Sequence, residues 1–298
     1  MISNPYFLPE RNMSNLAIQL LSDTVGVETI PIDVFSIPEQ MDYEVVFSNE
    51  NFKNNNEYGF SDIRSENNKI IYLNANFYGN SFEEVMQSDI KRRHCRFTLA
   101  HELGHCTIPE HSNIELQSAL LNEKNLHAKK YSFHKEYEAN VFASELLIPS
   151  STITNIYSFG KTFKDIISNL SSKYDTSIMA SSLKAASLMN DSICICLQIN
   201  KGSGKIINLK YSNGFSEYGK GLFIAKNSYP YSGSLANGIL KGKISTCNHQ
   251  LCSSPQDWFP NFKGSNEAEL HEWSFDMGEN IITFLELIDT SMYSLYIN

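Results

Sequence analysis

The chain has 298 residues, of which 42% are hydrophobic and 19% are charged, and this balance excludes an intrinsically disordered protein. Its length favours two structural units over one. Lysine and arginine number 24 against 33 aspartates and glutamates, and the resulting net charge of -9 makes nucleic acid and anionic lipid surfaces unfavourable partners.

The first residues argue against export. The segment 1–26 contains Glu10, Arg11 and Asp23 and lacks the order of basic, apolar and small residues that marks a secretory signal. The best apolar run, 281–288, is too short to span a bilayer. Six cysteines are too few for a disulfide scaffold. We therefore expect a cytoplasmic protein with reduced thiols and no membrane partner.

Hydrophobic periodicity predicts a small sheet among helices in the first half of the chain. The predicted elements are a helix starting near Ser14 and ending near Gly26, a short helix over 31–41, and strands over 43–47 and 69–73 with an asparagine-rich loop between them. They continue with a segment over 81–106, at least the second half of which is helical, and a helix over 134–148. Pro109 and Pro149 follow the last two helices and stop them.

The second half of the chain changes from helical to extended patterns. Residues 163–189 predict two helices broken near Asp175, shaped like a helix-turn-helix, but so few basic residues lie there that packing is favoured over DNA reading. Strands are predicted over 193–199, 205–209, 221–224 and 281–288, and the acidic stretch 266–272 is interpreted as a solvated loop or helix end. We therefore expect three parts, over 1–155, 156–190 and 191–298.

The string RFTLAHELGH, from Arg96 to His105, contains the pattern H-E-x-x-H. His101 and His105 lie one helical turn apart on the same face, so both can bind one zinc ion. Glu102 lies beside the first of them and can act as a general base. At this composition about 0.02 such strings are expected by chance, so a fortuitous match is improbable.

Two residues compete to be the third metal ligand. His111 follows His105 by six residues, the position of the third histidine in H-E-x-x-H-x-x-G-x-x-H, but Ile108 replaces the glycine that eases the turn. Glu136 lies on the next predicted helix. Because that helix presents small residues on the same face, Glu136 can approach the histidines, and we favour it.

The same helix offers further polar residues. Asn140 lies one turn after Glu136 and is predicted to hydrogen-bond a ligating histidine, fixing its tautomer. Glu138 lies about 200° around the helix from Glu136, on the face of Glu145, and both are interpreted as solvated.

The string at 96–105, together with E-x-x-A-N-x-F-A-x-x-L-L-x-P at 136–149, resembles the ImmA/IrrE family of zinc metallopeptidases. Members of this family are bacterial or mobile-element regulators that typically cut a helix-turn-helix repressor. The resemblance implies a protein substrate, either a repressor or an antitoxin, and a direct role in DNA binding is not expected.

The resemblance covers 31–149 and implies an α+β fold: a zincin-like metallopeptidase core with a small sheet and the H-E-x-x-H helix, a helical extension, and a mainly β C-terminal domain that regulates or recruits. It implies one Zn²⁺ per chain, held by His101, His105 and Glu136, with Glu102 as the base.

Two alternatives remain open. One is a module that holds zinc and sequesters its partner without cutting it. The other is a secreted metzincin-like protease, which requires His111 at the metal.

Two groups of residues that contain cysteines are weaker candidates for metal sites. Cys194 and Cys196 are interpreted as core thiols of a strand, and Cys247, His249 and Cys252 as an incomplete ligand set.

Overall fold

The computed structural model of the chain describes residues 7–52, 57–62, 69–111, 126–160, 162–189, 193–212, 215, 222–244, 251–265 and 267–288, the side chains of 7–11, 110 and 126–133 excepted. The fold is α+β. Internal packing groups the chain into two compact units, Met1–Thr154 with Ser171–Ser177, and Asn155–Leu170 with Ile178–Asn298. The three-part division stays a prediction, and residues 190–192 at its second boundary lie outside the described residues.

The first unit surrounds a three-stranded sheet with helices. Its elements are α1 (Phe7–Asp23), α2 (Ile37–Gln40), β1 (Glu44–Ser48), β2 (Gly59–Asp62), β3 (Ile70–Asn74), α3 (Ala75–Tyr78), α4 (Phe82–Met86), α5 (Asp89–Thr107) and α6 (Leu126–Leu147), with a 3₁₀ turn over Pro109–His111. The sheet order is β1-β3-β2, with β1 parallel and β2 antiparallel to β3. Among the strands of the described residues, β2 therefore lies at one edge of this sheet.

Local sequence signals set the bounds of α5. The Ser88 hydroxyl accepts a hydrogen bond from the Lys91 amide and caps the start of the helix. Extended backbone at Ile108, followed by Pro109, ends it. Gly104 allows α5 to approach α6 closely, because a Cβ added there would lie 3.2 Å from the Ala139 Cα.

The second unit is built on a five-stranded antiparallel sheet. Its elements are α7 (Phe163–Tyr174, whose last residues belong to the first unit), α8 (Ile178–Leu188), β4 (Ile193–Asn200), β5 (Ile206–Tyr211), α9 (Leu235–Leu240), β6 (Leu251–Ser253), α10 (Pro255–Trp258), β7 (Glu269–Asp276) and β8 (Asn280–Ile288). The strand order is β5-β4-β8-β7-β6. The apolar side chains that alternate along β4 lie on one face of the sheet. There they form a hydrophobic core with apolar side chains of β8.

Several sequence predictions are confirmed. The helical hairpin breaks at Asp175, which has a φ of 48°. Cys194 and Cys196 are buried in β4. A separate observation concerns membrane crossing: within the described residues, no helix combines the length and the apolar content that a bilayer crossing needs.

Other predictions are wrong. The acidic stretch 266–272 runs into strand β7, and Glu272 is fully buried, where its Oε1 accepts hydrogen bonds from the Ala236 amide and the Ser274 hydroxyl. Residues 222–224, part of a predicted strand, form no strand. Strands β2 and β6 were not predicted, and α1 and α6 begin seven and eight residues before their predicted starts, at Phe7 and Leu126.

Candidate metal centre

Two helices bring the predicted ligands together. On α5, the Nε2 atoms of His101 and His105 are 3.1 Å apart. From α6, the Oε2 atom of Glu136 lies 3.2 Å from the Nε2 of His101, and its Oε1 lies 3.6 Å from the Nε2 of His105. The histidine side chains are 16% exposed and that of Glu136 is 56% exposed, so the cluster opens to solvent on the carboxylate side.

This donor set fits a zinc ion. Donors bound at about 2.0–2.2 Å with tetrahedral angles lie about 3.3 Å apart. The three separations of 3.1, 3.2 and 3.6 Å bracket that value. Two imidazoles and one carboxylate form the ligand set of catalytic zinc sites, which leave a fourth position open.

Glu102 lies buried beside the cluster. Burial raises the pKa of Glu102 to about 7, although the charge of His101 and hydrogen bonds from Ser61 on β2 act in the opposite direction. Strand β2 can approach this closely because Gly59 has no side chain: a Cβ there would lie 2.7 Å from Thr98 Cγ2 and 3.4 Å from Glu102 Cγ. A carboxylate with a pKa near neutrality suits a general base.

The two histidines have opposite electrostatic environments. Burial lowers the pKa of His101, but the hydrogen bond to Glu136 and the charges of Glu102 and Glu136 outweigh it, so the net shift is upward. Burial and the neighbouring His101 lower the pKa of His105 well below its usual range. Asn140 Oδ1 lies 3.1 Å from the Nδ1 of His101, within hydrogen-bonding distance as predicted.

Residues 90–182 match the family model described as Peptidase_M78, IrrE N-terminal-like domain. This segment is similar to an IrrE N-terminal-like domain. The match confirms the predicted ImmA/IrrE resemblance, and the IrrE-like domain contains all three clustered donors and Glu102.

Two further comparisons bear on the whole chain. A solved structure titled "Mycobacterium tuberculosis transcriptional regulator" is similar with a TM-score of 0.54 and 10% identity, over 96% of this chain and 81% of that one. At this identity the likeness concerns the fold alone. Comparison with curated proteins gives no significant match.

The IrrE-like domain also contains contacts that the sequence reasoning missed. His111, on the 3₁₀ turn, is 1% exposed; its Nδ1 lies 2.9 Å from the Nδ1 of His105 and its Nε2 lies 2.9 Å from Glu138 Oε2. His111 therefore contacts the Nδ1 atom of His105, whereas Glu136 contacts the Nε2 atom of His105. The only sequence signal was Pro109, which turns the chain after α5.

The solvated interpretation of Glu138 and Glu145 is wrong. The side chain of Glu138 is 15% exposed, and Glu145 is buried, where it accepts hydrogen bonds from the amide and hydroxyl of Ser150. The physical reason is that α6 packs against both α1 and α5. The face of α6 that carries Glu138 and Glu145 is therefore shielded from solvent.

The cysteine-rich pattern of the second unit is only partly described. Cys247 and His249 lie outside the described residues. Cys252 lies opposite His271 in the β6–β7 register, with Glu269 nearby. The interpretation of Cys247, His249 and Cys252 as an incomplete ligand set therefore stays a prediction.

Proposed function

We propose that the protein is a zinc-dependent endopeptidase that cleaves a protein regulator. In this proposal His101, His105 and Glu136 hold the metal and Glu102 is the general base. The observation that carries the proposal is the grouping of three donor atoms within 4.8 Å of one another beside a buried carboxylate. The IrrE N-terminal-like match over 90–182 supports the same reading.

The chemistry divides between the ion and the chain. When bound, a zinc ion polarises a peptide carbonyl and makes water more acidic. Glu102 accepts a proton from the attacking water and passes it to the leaving amine. Burial raises the pKa of Glu102 in the protein without an ion, which favours a proton-accepting role for this carboxylate.

The substrate is proposed to be an extended segment of a protein. Strand β2 is at the sheet edge and contacts Glu102 through Ser61, and edge strands bind extended peptides through main-chain hydrogen bonds. The net charge of -9 disfavours nucleic acid as the substrate. A helix-turn-helix repressor or an antitoxin is the partner that the family resemblance favours.

The test mixes purified protein with candidate repressors encoded beside its gene, with and without zinc, and identifies fragments by mass spectrometry. We expect zinc-dependent fragments from the wild type, no fragments but full zinc content from Glu102→Gln, and no zinc from His101→Ala. Glu39→Gln, which alters an exposed carboxylate on α2, is the matched control and should cleave normally.

Two results would overturn the proposal. Cleavage by Glu102→Gln would remove the assigned base. Zinc-loaded wild type that binds a repressor without cutting it would establish instead the non-cleaving module that sequesters its partner.

A further inference from the structure

Both ring nitrogens of His111 are engaged, although His111 is not one of the three clustered donors. Its Nδ1 faces the Nδ1 of His105 and its Nε2 faces Glu138, each at 2.9 Å. Lys135 fixes the turn that carries it, since its Nζ donates a hydrogen bond to the carbonyl oxygen of His111 at 3.1 Å. The contacts form a continuous line, Glu138–His111–His105, which we call the relay.

With His111 taken as neutral and Glu138 as ionised, the direction of each hydrogen bond in the relay follows. An ionised carboxylate can only accept, so His111 donates from Nε2. A neutral imidazole has a single N–H, so the Nδ1 of His111 accepts, and His105 must donate from its own Nδ1. The lone pair of His105 is then left on Nε2, which faces His101 and Glu136.

We infer that His111 and Glu138 are positioning residues that hold His105 in the Nδ1–H tautomer, with the Nε2 lone pair directed at the metal position. This inference rests on the proposed zinc site. For His101 the corresponding partner is a different group, the Oδ1 atom of Asn140, which lies 3.1 Å from its Nδ1 and can accept that N–H. The two ligating imidazoles thus have unequal supports, a neutral amide for one and a histidine–carboxylate pair for the other.

The unequal supports have a chemical consequence. A carboxylate at the end of a hydrogen-bonded chain makes the ligating imidazole a better electron-pair donor to a metal ion. Loss of such a partner typically weakens metal affinity roughly 10- to 100-fold. Because His111 is nearly fully buried, water cannot readily replace it when its ring is removed.

The first test reads the tautomers directly in the full-length protein. Two-bond ¹H–¹⁵N correlation spectra of protein labelled with ¹⁵N-histidine, recorded without zinc, should show His105 protonated at Nδ1 and His111 at Nε2. His105→Gln and His111→Leu assign the signals. A spectrum in which His105 is protonated at Nε2 would overturn the inference.

The second test measures zinc affinity by chelator competition. His111→Leu removes the acceptor and should weaken zinc binding roughly 10- to 100-fold. His111→Asn, whose Oδ1 can replace the accepting nitrogen, should restore most of that loss. His134→Ala is the matched control, because His134 also contacts Glu138, at 3.3 Å, but lies outside the relay; its zinc affinity should equal that of the wild type.

The outcomes separate this inference from the proposed function. Wild-type zinc affinity in His111→Leu would overturn the relay and leave the metal site intact. A wild type that binds no zinc would overturn the proposed function, while the tautomer spectra would still decide the relay. If His111→Leu fails to fold, the wild-type spectra decide alone.

Discussion

At the scale of single residues, the grouping of the proposed ligands and the contact of Asn140 could be predicted, but the contact of His111 with Glu138 could not. His101 and His105 follow from helical periodicity alone, and Glu136 follows from the small residues that share its face. The contact of His111 with Glu138 depends on how a turn folds back onto a second helix. Spacing along the chain does not encode that contact, so Glu138 was assigned to the solvent.

Gly59 tests how closely the edge strand must approach the site. Gly59→Ala would place a Cβ 2.7 Å from Thr98 Cγ2 and 3.3 Å from the Tyr72 carbonyl oxygen. Thr98 cannot readily rotate away, because its hydroxyl is hydrogen-bonded to Tyr78 at 2.7 Å. We expect a loss of about 1–3 kcal/mol in the free energy of unfolding, measured by urea denaturation, together with reduced cleavage.

Gly202→Ala is the control for that substitution. Its added Cβ would meet only Asn200 Oδ1, at 3.4 Å. Its effect on the free energy of unfolding should stay within about 0.5 kcal/mol. Equal effects at the two glycines would contradict the steric argument.

At the scale of elements, helices were predicted better than strands. The hairpin of α7 and α8 was predicted because its apolar spacing is interrupted at Asp175. Strand β7 was not predicted, because Glu272 and Ser274 are polar residues that point inward. They mask the alternation of apolar and polar residues that identifies a half-buried strand. Strands β2 and β6 have four and three residues, too few to show a period.

Asp175 provides a test of the contact between segment Ser171–Ser177 and α5, both within the first unit. Its carboxylate contacts Arg92 at 2.8 Å and Arg93 at 3.0 Å, and these arginines lower the pKa of Asp175 to about 2. Asparagine also tolerates the positive φ, so Asp175→Asn removes the charge with little backbone strain. We expect a loss of about 2 kcal/mol in the free energy of unfolding at pH 7.

The pH dependence of that loss has a definite sign. Because the folded pKa lies below the ordinary value of 3.8, the stabilisation is complete well above pH 3.8 and disappears as the pH falls towards 2. The difference between wild type and Asp175→Asn should be roughly half as large at pH 3 as at pH 7. The control is Asp89→Asn: Asp89 also contacts Arg92 but is largely exposed, and should cost at most about 0.5 kcal/mol.

At the scale of the whole molecule, length predicted more than one structural unit, and the family resemblance predicted an α+β fold. The first unit includes Ser171–Ser177, which a linear reading assigns to a separate extension. The reason is tertiary: the arginines of α5 pair with Asp175, which lies more than 75 residues further along the chain.

Metal binding offers a test at this scale. An ion that binds only the folded state stabilises it by about 2.7 kcal/mol at a free concentration 100 times its Kd. Zinc should therefore raise the Tm of the wild type by about 5–10 °C in thermal scans, and a chelator should reverse the change. His101→Ala should show no shift, and an equal shift in both proteins would place the stabilising ion elsewhere.

The close contact of Gly104 with α6 has a consequence for ion selectivity. Because packing at Gly104 brings the backbones of α5 and α6 together, the aperture between the two imidazoles and the opposing carboxylate is already narrow in the protein without an ion. Calcium and magnesium prefer shells of oxygen atoms, and calcium also needs a wider one. A narrow, nitrogen-rich aperture therefore discriminates against these abundant cellular cations and favours a small borderline-soft ion.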